Sequence, residues 1–276
     1  MKKANRSLRL YFFFAIAITV VLATARIIFM TRYYDVEVEL YRIGAQHVGI
    51  FAAVFCLSAL GMLTVGFFLK GAAKKMRVFP RESLATSFAG ALCSLGFISA
   101  LFSQFFYFFP AVLKEGTPSD KGLFIASMLL CLPTAVYFFA VAASRNIKIT
   151  ALQYLSFFPV LWGIVYCSFV YFDSTRVLNS PERNLIQLSL ITLMLYFLAE
   201  SRYHLGKASP PLYIGISLLS MVVVGTVAVP NLLLSAFWVM PMTQLSIFSA
   251  VEILLAFYIL SRVLSFITSP QMRRGK

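Results

Sequence analysis

The sequence predicts an all-α, polytopic helical membrane protein with about eight transmembrane helices and with N and C termini cytoplasmic. Three observations predict it: the hydropathy, the scarcity of charge, and the alternation of basic residues along the chain. Hydrophobic residues make up 60% of the 276 residues and charged ones 12%, against about 25% charged in soluble domains. A soluble chain this apolar would expose large adhesive patches, so lipid must be the solvent for most of it. Each crossing takes about 20 apolar residues. Eight crossings therefore leave only short loops and tails, and 1–276 reads as a single transmembrane helical domain with no room for a soluble catalytic unit.

Spans are expected at about residues 10–30, 46–69, 84–109, 121–143, 150–172, 181–204, 210–229 and 241–265. The start MKKANRSLRL followed by YFFFAIAITVVLATA reads as a retained first span. Its apolar run exceeds a signal-peptide core, and no small-residue cleavage site closes it. Pro110 closes span 3, while Pro133 and Pro159 fall inside spans 4 and 5. Spans 6 and 7 open at Ser180-Pro181-Glu182 and Ser209-Pro210. Serine caps, proline suits the first helical position, and an acid suits the positive helix end. Span 8 starts near Pro241. The uncharged stretch 231–240 is too short to span and is expected in the outer interface with Trp238 as anchor; a re-entrant lid is the alternative.

Sidedness follows from lysine and arginine. Seventeen lie at the N-terminus, in the loops after spans 2, 4 and 6, and in the C-terminal set that begins at Arg262. Six lie in the opposite loops, and Arg26 sits within span 1. The basic side is cytoplasmic, and an odd number of spans would spoil the alternation. The net charge of +14 does not point to nucleic acid, because the basic residues punctuate apolar segments rather than gather on a polar domain. The loop 70–81 is expected to contact anionic lipid at about 1 kcal/mol per basic residue. The expected location is the plasma (cell) membrane, and a protein partner or a homo-oligomer is compatible with so little extramembrane mass.

The outer segment Tyr34–Tyr41, YDVEVELY, alternates apolar and acidic residues as a strand would. A lone strand exposes its edges and wants a partner chain or its own copy. Val36, Leu40 and Ile43 also fit helical spacing, and a helical extension of span 2 is the preferred expectation.

Five side chains are candidates for function. Glu252 stands near the middle of span 8, where a carboxylate must be protonated, paired or hydrated; it is the leading candidate for a proton, cation or polar-ligand site. Arg26, near the outer end of span 1, is expected to snorkel to the headgroups, with pairing to Glu252 across the bundle or a role in binding a ligand as the alternatives. Gln104, in LFSQFFYFF, is an amide within an aromatic belt or within a pocket for an amphiphile. Glu200 and His204 share one face at the cytoplasmic end of span 6 and form a polar pair, expected to be solvated at the interface. One such pair is too few ligands for a metal, and His47 lies on the opposite side, so neither a metal nor a haem is expected. Trp162, beside Pro159 and Gly163, is expected to pack around a kink. Cys56, Cys93, Cys131 and Cys167 fall in four different spans and read as apolar core residues. Ala53 and Gly61 in span 2, with Ser87, Ala91 and Ser99 in span 3, are expected to permit close helix packing.

No zinc-protease, serine-hydrolase, phosphate-loop or dinucleotide motif is present, so no cofactor is expected. Three functions stay open. The first is a small transporter or the membrane subunit of a transport complex. The second is a non-transporting sensor, scaffold or assembly partner acting through helix contacts. The third is a lipid-directed enzyme, for which no catalytic set is found.

Overall fold

The computed structural model describes residues 2–35, 38–42, 46–68, 83–144, 151–173, 177, 180–207, 209–237 and 244–268. Among the described residues, eight helical segments are long and apolar enough to cross a membrane, the third being 84–108 and the fifth 152–172; their main helices are α1 (Lys2–Tyr33), α2 (Gln46–Phe68), α3 (Leu84–Ser103), α4 (Pro118–Ala143), α5 (Phe158–Phe172), α6 (Pro181–His204), α7 (Pro210–Ala236) and α8 (Gln244–Thr268). The polytopic helical fold is therefore the one the hydropathy predicts. The basic loop 70–81 and Trp238 lie outside the described residues.

The helix starts have local causes. Ser83 accepts a bond from the Thr86 amide and caps α3. Thr117 and Asp120 form a reciprocal capping box at α4, which satisfies two orphan donors at once. Proline occupies the first turn of α5, α6 and α7, where its missing N–H costs nothing. Just before Pro159 the fifth span breaks at Ser156–Phe157, between a short helix Leu152–Leu155 and α5. The third span widens into a π-helical turn, Gln104–Phe108, ahead of Pro110 and a short helix Phe109–Glu115.

Two expectations are corrected. The 34–41 segment does not extend α2 as a helix. It is a hairpin in which β1 (Tyr34–Asp35) pairs antiparallel with β2 (Leu40–Tyr41). Glu39 adopts φ 55° in its turn, and the Tyr34 and Tyr41 rings meet edge to face at 5.2 Å. Each strand is the other's partner, so no second chain is needed to pair them. The seventh span does not stop at Val229: α7 runs through Pro230 to Ala236, so 231–236 is helix, and 238–243 lies outside the described residues.

Helices α3 to α8 close a ring, each packing on the next and α8 on α3. α1 and α2 pack on α7 from outside, and α1 also touches α8. α7 is the hub: 83% of its apolar window is buried, against 28% for α1 and 22% for α2. The close approach of α2 is not made by Ala53 and Gly61, which are exposed. It is made by Gly66, whose added Cβ would collide with the Pro211 carbonyl, and by Gly215, whose Cβ would meet the Leu63 carbonyl at 2.6 Å. In α3 it is Gly90 that lies tightly against α4, an added Cβ meeting the Phe138 carbonyl at 3.0 Å, while Ser99 is exposed.

Candidate functional site: a buried line of paired charges

α6 carries one polar face. Glu182, Ser189, Tyr196 and Glu200 are all buried and recur at spacings close to whole turns. Glu182 and Glu200 are five full turns apart, about 27 Å along the axis, nearly the thickness of a hydrocarbon core.

At the Glu182 end, Arg26 of α1 is wholly buried. It does not snorkel, and its ion-pair partner is Glu182 rather than Glu252. One terminal nitrogen, Nη2, donates to the Glu182 carboxylate and to Asn231 Oδ1 at 2.9 Å. The other, Nη1, donates to the carbonyls of Thr226 at 3.0 Å and Val227 at 2.6 Å. The Thr226 carbonyl is available for a reason written in the sequence. Pro230 has no N–H to give Thr226, four residues back, and its ring crowds that turn. In a membrane the freed carbonyl must find another donor, and Arg26 supplies it. Glu182 also lies in the first turn of α6, where the helix dipole favours its charge. The hairpin covers this pair. Arg26 donates to the Tyr41 oxygen, and burial, with the Glu182 charge adding to it, holds the Tyr41 phenol above its ordinary value while Arg26 opposes the shift.

At the other end, Glu200 is not solvated but completely buried. Its Oε1 pairs with Arg262 Nε of α8 at 2.9 Å and accepts the Tyr258 hydroxyl at 2.8 Å. Arg262 Nε in turn donates to the Tyr258 oxygen at 2.8 Å. Tyr196 and Tyr213 join hydroxyls at 2.9 Å nearby. His204 packs its ring edge-on against Tyr137, one turn beyond Glu200.

Between the two ends lies Glu252, buried in α8, facing the Ser189 hydroxyl of α6 and the charge of Arg26. Among the described residues it forms no ion pair. Bulky aromatics fill the ring around this line: Phe138 meets Tyr258 at 5.2 Å, and Trp162 stacks on Tyr166 at 5.4 Å and meets Phe97 at 4.9 Å. Trp162 is thus a packing residue above the break at Pro159, as expected.

Gln104 is separate from this line. The π turn places it fully buried, where the Cys131 thiol reaches its Oε1 at 3.9 Å and its amide nitrogen has no partner. The neighbouring Phe105, Phe106 and Tyr107 are exposed and make the belt.

The sequence singles out Glu252, Arg26 and Glu200 but not Glu182 and Arg262, the ion-pair partners of the last two. It presents Glu182 as a helix-start acid and Arg262 as one of the terminal basic residues. Two signals were available: the eighteen-residue spacing of Glu182 and Glu200, and the four-residue spacing of Tyr258 and Arg262 within a span. Arg183, in the first turn of α6, is likewise buried, with its guanidinium on the Tyr171 carbonyl at the end of α5.

Fold and site together define a multi-pass α-helical membrane protein which, among the described residues, has two buried arginine–glutamate pairs and a carboxyl without an ion pair between them. Comparisons with protein-family models, curated proteins and solved structures return no match.

Proposed function

We propose that this chain is a small membrane transporter, or the membrane subunit of a transport complex, whose path follows the buried face of α6. The observation that carries this reading is the placement of Glu182, Glu252 and Glu200 at successive depths through one bundle. Intramembrane ionisable groups are expensive and characteristically line ion or proton pathways. Transporter sites often use backbone carbonyls released from their helix bonds, and Pro230 releases that of Thr226 inside α7, which stays helical through it. The aromatic filling makes the present arrangement a closed one. Lipid surrounds the outer faces of the helices, and the 17-to-6 distribution of basic residues favours cytoplasmic termini, the hairpin side outward, and anionic lipid at the 70–81 loop. A plasma-membrane location fits the same reading.

The test is reconstitution of the purified chain into liposomes. A solute or proton flux that Glu252→Gln abolishes supports the reading, and a flux unchanged by that substitution removes Glu252 from the path.

A second reading, a scaffold or sensor, draws on one observation. α1 and α2 are the least enclosed spans and lie beside a hairpin with exposed Val38 and Leu40. A stoichiometric protein partner that is lost on deleting residues 33–41, with no flux from the chain alone, would favour it.

A further inference from the structure

Glu182 and Glu200 each have an arginine, whereas Glu252 has only a share in Arg26. The charged and titratable neighbours of Glu252 are few. α1 presents Arg26, and α6 presents Ser189 and, through Arg26, Glu182. α3 turns the Cys93 thiol to the Leu254 carbonyl, and α7 holds no acidic or basic residue. One guanidinium therefore acts on two carboxyls: it is bonded to Glu182 at the hairpin end, and its charge reaches Glu252 deeper in the bundle. The Ser189 level is about 10 Å further along α6 than Glu182. The guanidinium is incompletely committed to the first of them: Arg26 Nε and Glu182 Oε1 have no hydrogen-bond partner.

We infer that Glu252 is a proton-binding site, and that Glu182 and Glu252 exchange Arg26 for a proton. This rests on the transport reading and names its coupling ion. In the observed state Arg26 holds Glu182, and Glu252, left without a cation in an apolar interior, carries the proton. In the alternate state the Glu252 O–H bond breaks, the carboxylate takes the guanidinium, and Glu182, released by Arg26, forms an O–H bond with a proton from its own end. One proton is lost, one is gained, and the number of buried charges is unchanged. A guanidinium already present repels a metal cation, so the exchange favours a proton over sodium or a divalent ion. Tyr41 rests on the same arginine, so the exchange also releases the hairpin from the Glu182 end.

The experiment uses the full chain in lipid nanodiscs, followed by infrared spectroscopy across a pH titration. The wild type should show a protonated-carboxyl stretch near neutral pH that Glu252→Gln removes. In Glu182→Gln the arginine passes to Glu252, and the midpoint of that band should fall by about one pH unit or more, a tenfold change. A band indifferent to Glu252→Gln, or an unchanged midpoint in Glu182→Gln, overturns the exchange. Thermal unfolding gives a second readout: each single variant keeps a cooperative transition, and the double variant loses far more than the sum. Additive losses, or failure of Glu182→Gln alone to fold, mean that Arg26 has no second carboxyl to go to, and also overturn it. An intact band response in a chain that passes no proton or solute would retain the exchange and remove the transport reading.

Discussion

Glu182 and Glu200 lie on one face of α6, five turns apart, and each is held by an arginine from a different helix: Arg26 of α1 and Arg262 of α8. α6 is thereby tied at one end to a peripheral helix and at the other to a member of the ring. Any relative motion of these helices must break or pass on one of the two pairs.

The first prediction concerns the inner logic of such pairs. Breaking a buried pair by removing one partner costs about 3–5 kcal/mol, because the survivor is left charged and alone. Glu200→Gln and Arg262→Gln should each destabilise the purified protein on that scale. The double variant should cost much less than their sum. Additive losses in a thermal-unfolding cycle would show that the pair does not couple α6 to α8.

Pro230 supplies the second. Replacing it with alanine returns an N–H to Thr226 and removes the worst residue for a helix interior. Thermal stability should hold or rise while flux falls at least about tenfold, since Arg26 then competes for an acceptor that it now takes freely, a stability–activity trade. A less stable protein with full flux would contradict the role given to the freed carbonyl.

The third separates packing from lipid exposure on α2. Gly66→Val drives a side chain into the Pro211 carbonyl and should cost about 1–3 kcal/mol. Gly61→Val meets nothing within 4 Å and should fall within about 0.5 kcal/mol of wild type. Equal effects in unfolding experiments would mean that α2 does not dock on α7 through Gly66 and Gly215.

The fourth is sidedness. Val38→Cys, in the exposed hairpin turn, should react with a membrane-impermeant maleimide in intact cells. A cysteine added at the C-terminus should react only after permeabilisation. The reverse pattern would invert the orientation drawn from the basic loops.

What the sequence made legible, and what it did not, has a physical pattern. The spans were legible because lipid imposes length and apolarity on each segment separately. The proline starts of α6 and α7 were legible because capping is local. Glu252 and Arg26 stood out because charge at depth is rare. Their partners were not legible, because pairing depends on which helices are neighbours. Glu182 sits beside a helix start, where an acid has a sufficient local reason to be, and that reason masked its burial against α1. Arg262 lies nearly two turns from the end of α8, where a basic residue ordinarily marks topology. The hairpin was mistaken for a helix because eight residues of alternating pattern fit both periods, and only the cross-strand pairing of Tyr34 with Tyr41 decides between them. Ala53 and Gly61 misled because a small residue permits close packing without requiring it.

The central claim is that Glu252, alone between two paired carboxylates, carries the transported or coupling proton. Proton uptake by liposomes containing the wild type, Glu252→Gln or Glu252→Asp, matched for helical content by circular dichroism, tests it most directly. The account predicts uptake in the wild type, none above empty liposomes in Glu252→Gln, and partial uptake in Glu252→Asp. Equal uptake in the wild type and Glu252→Gln would contradict it.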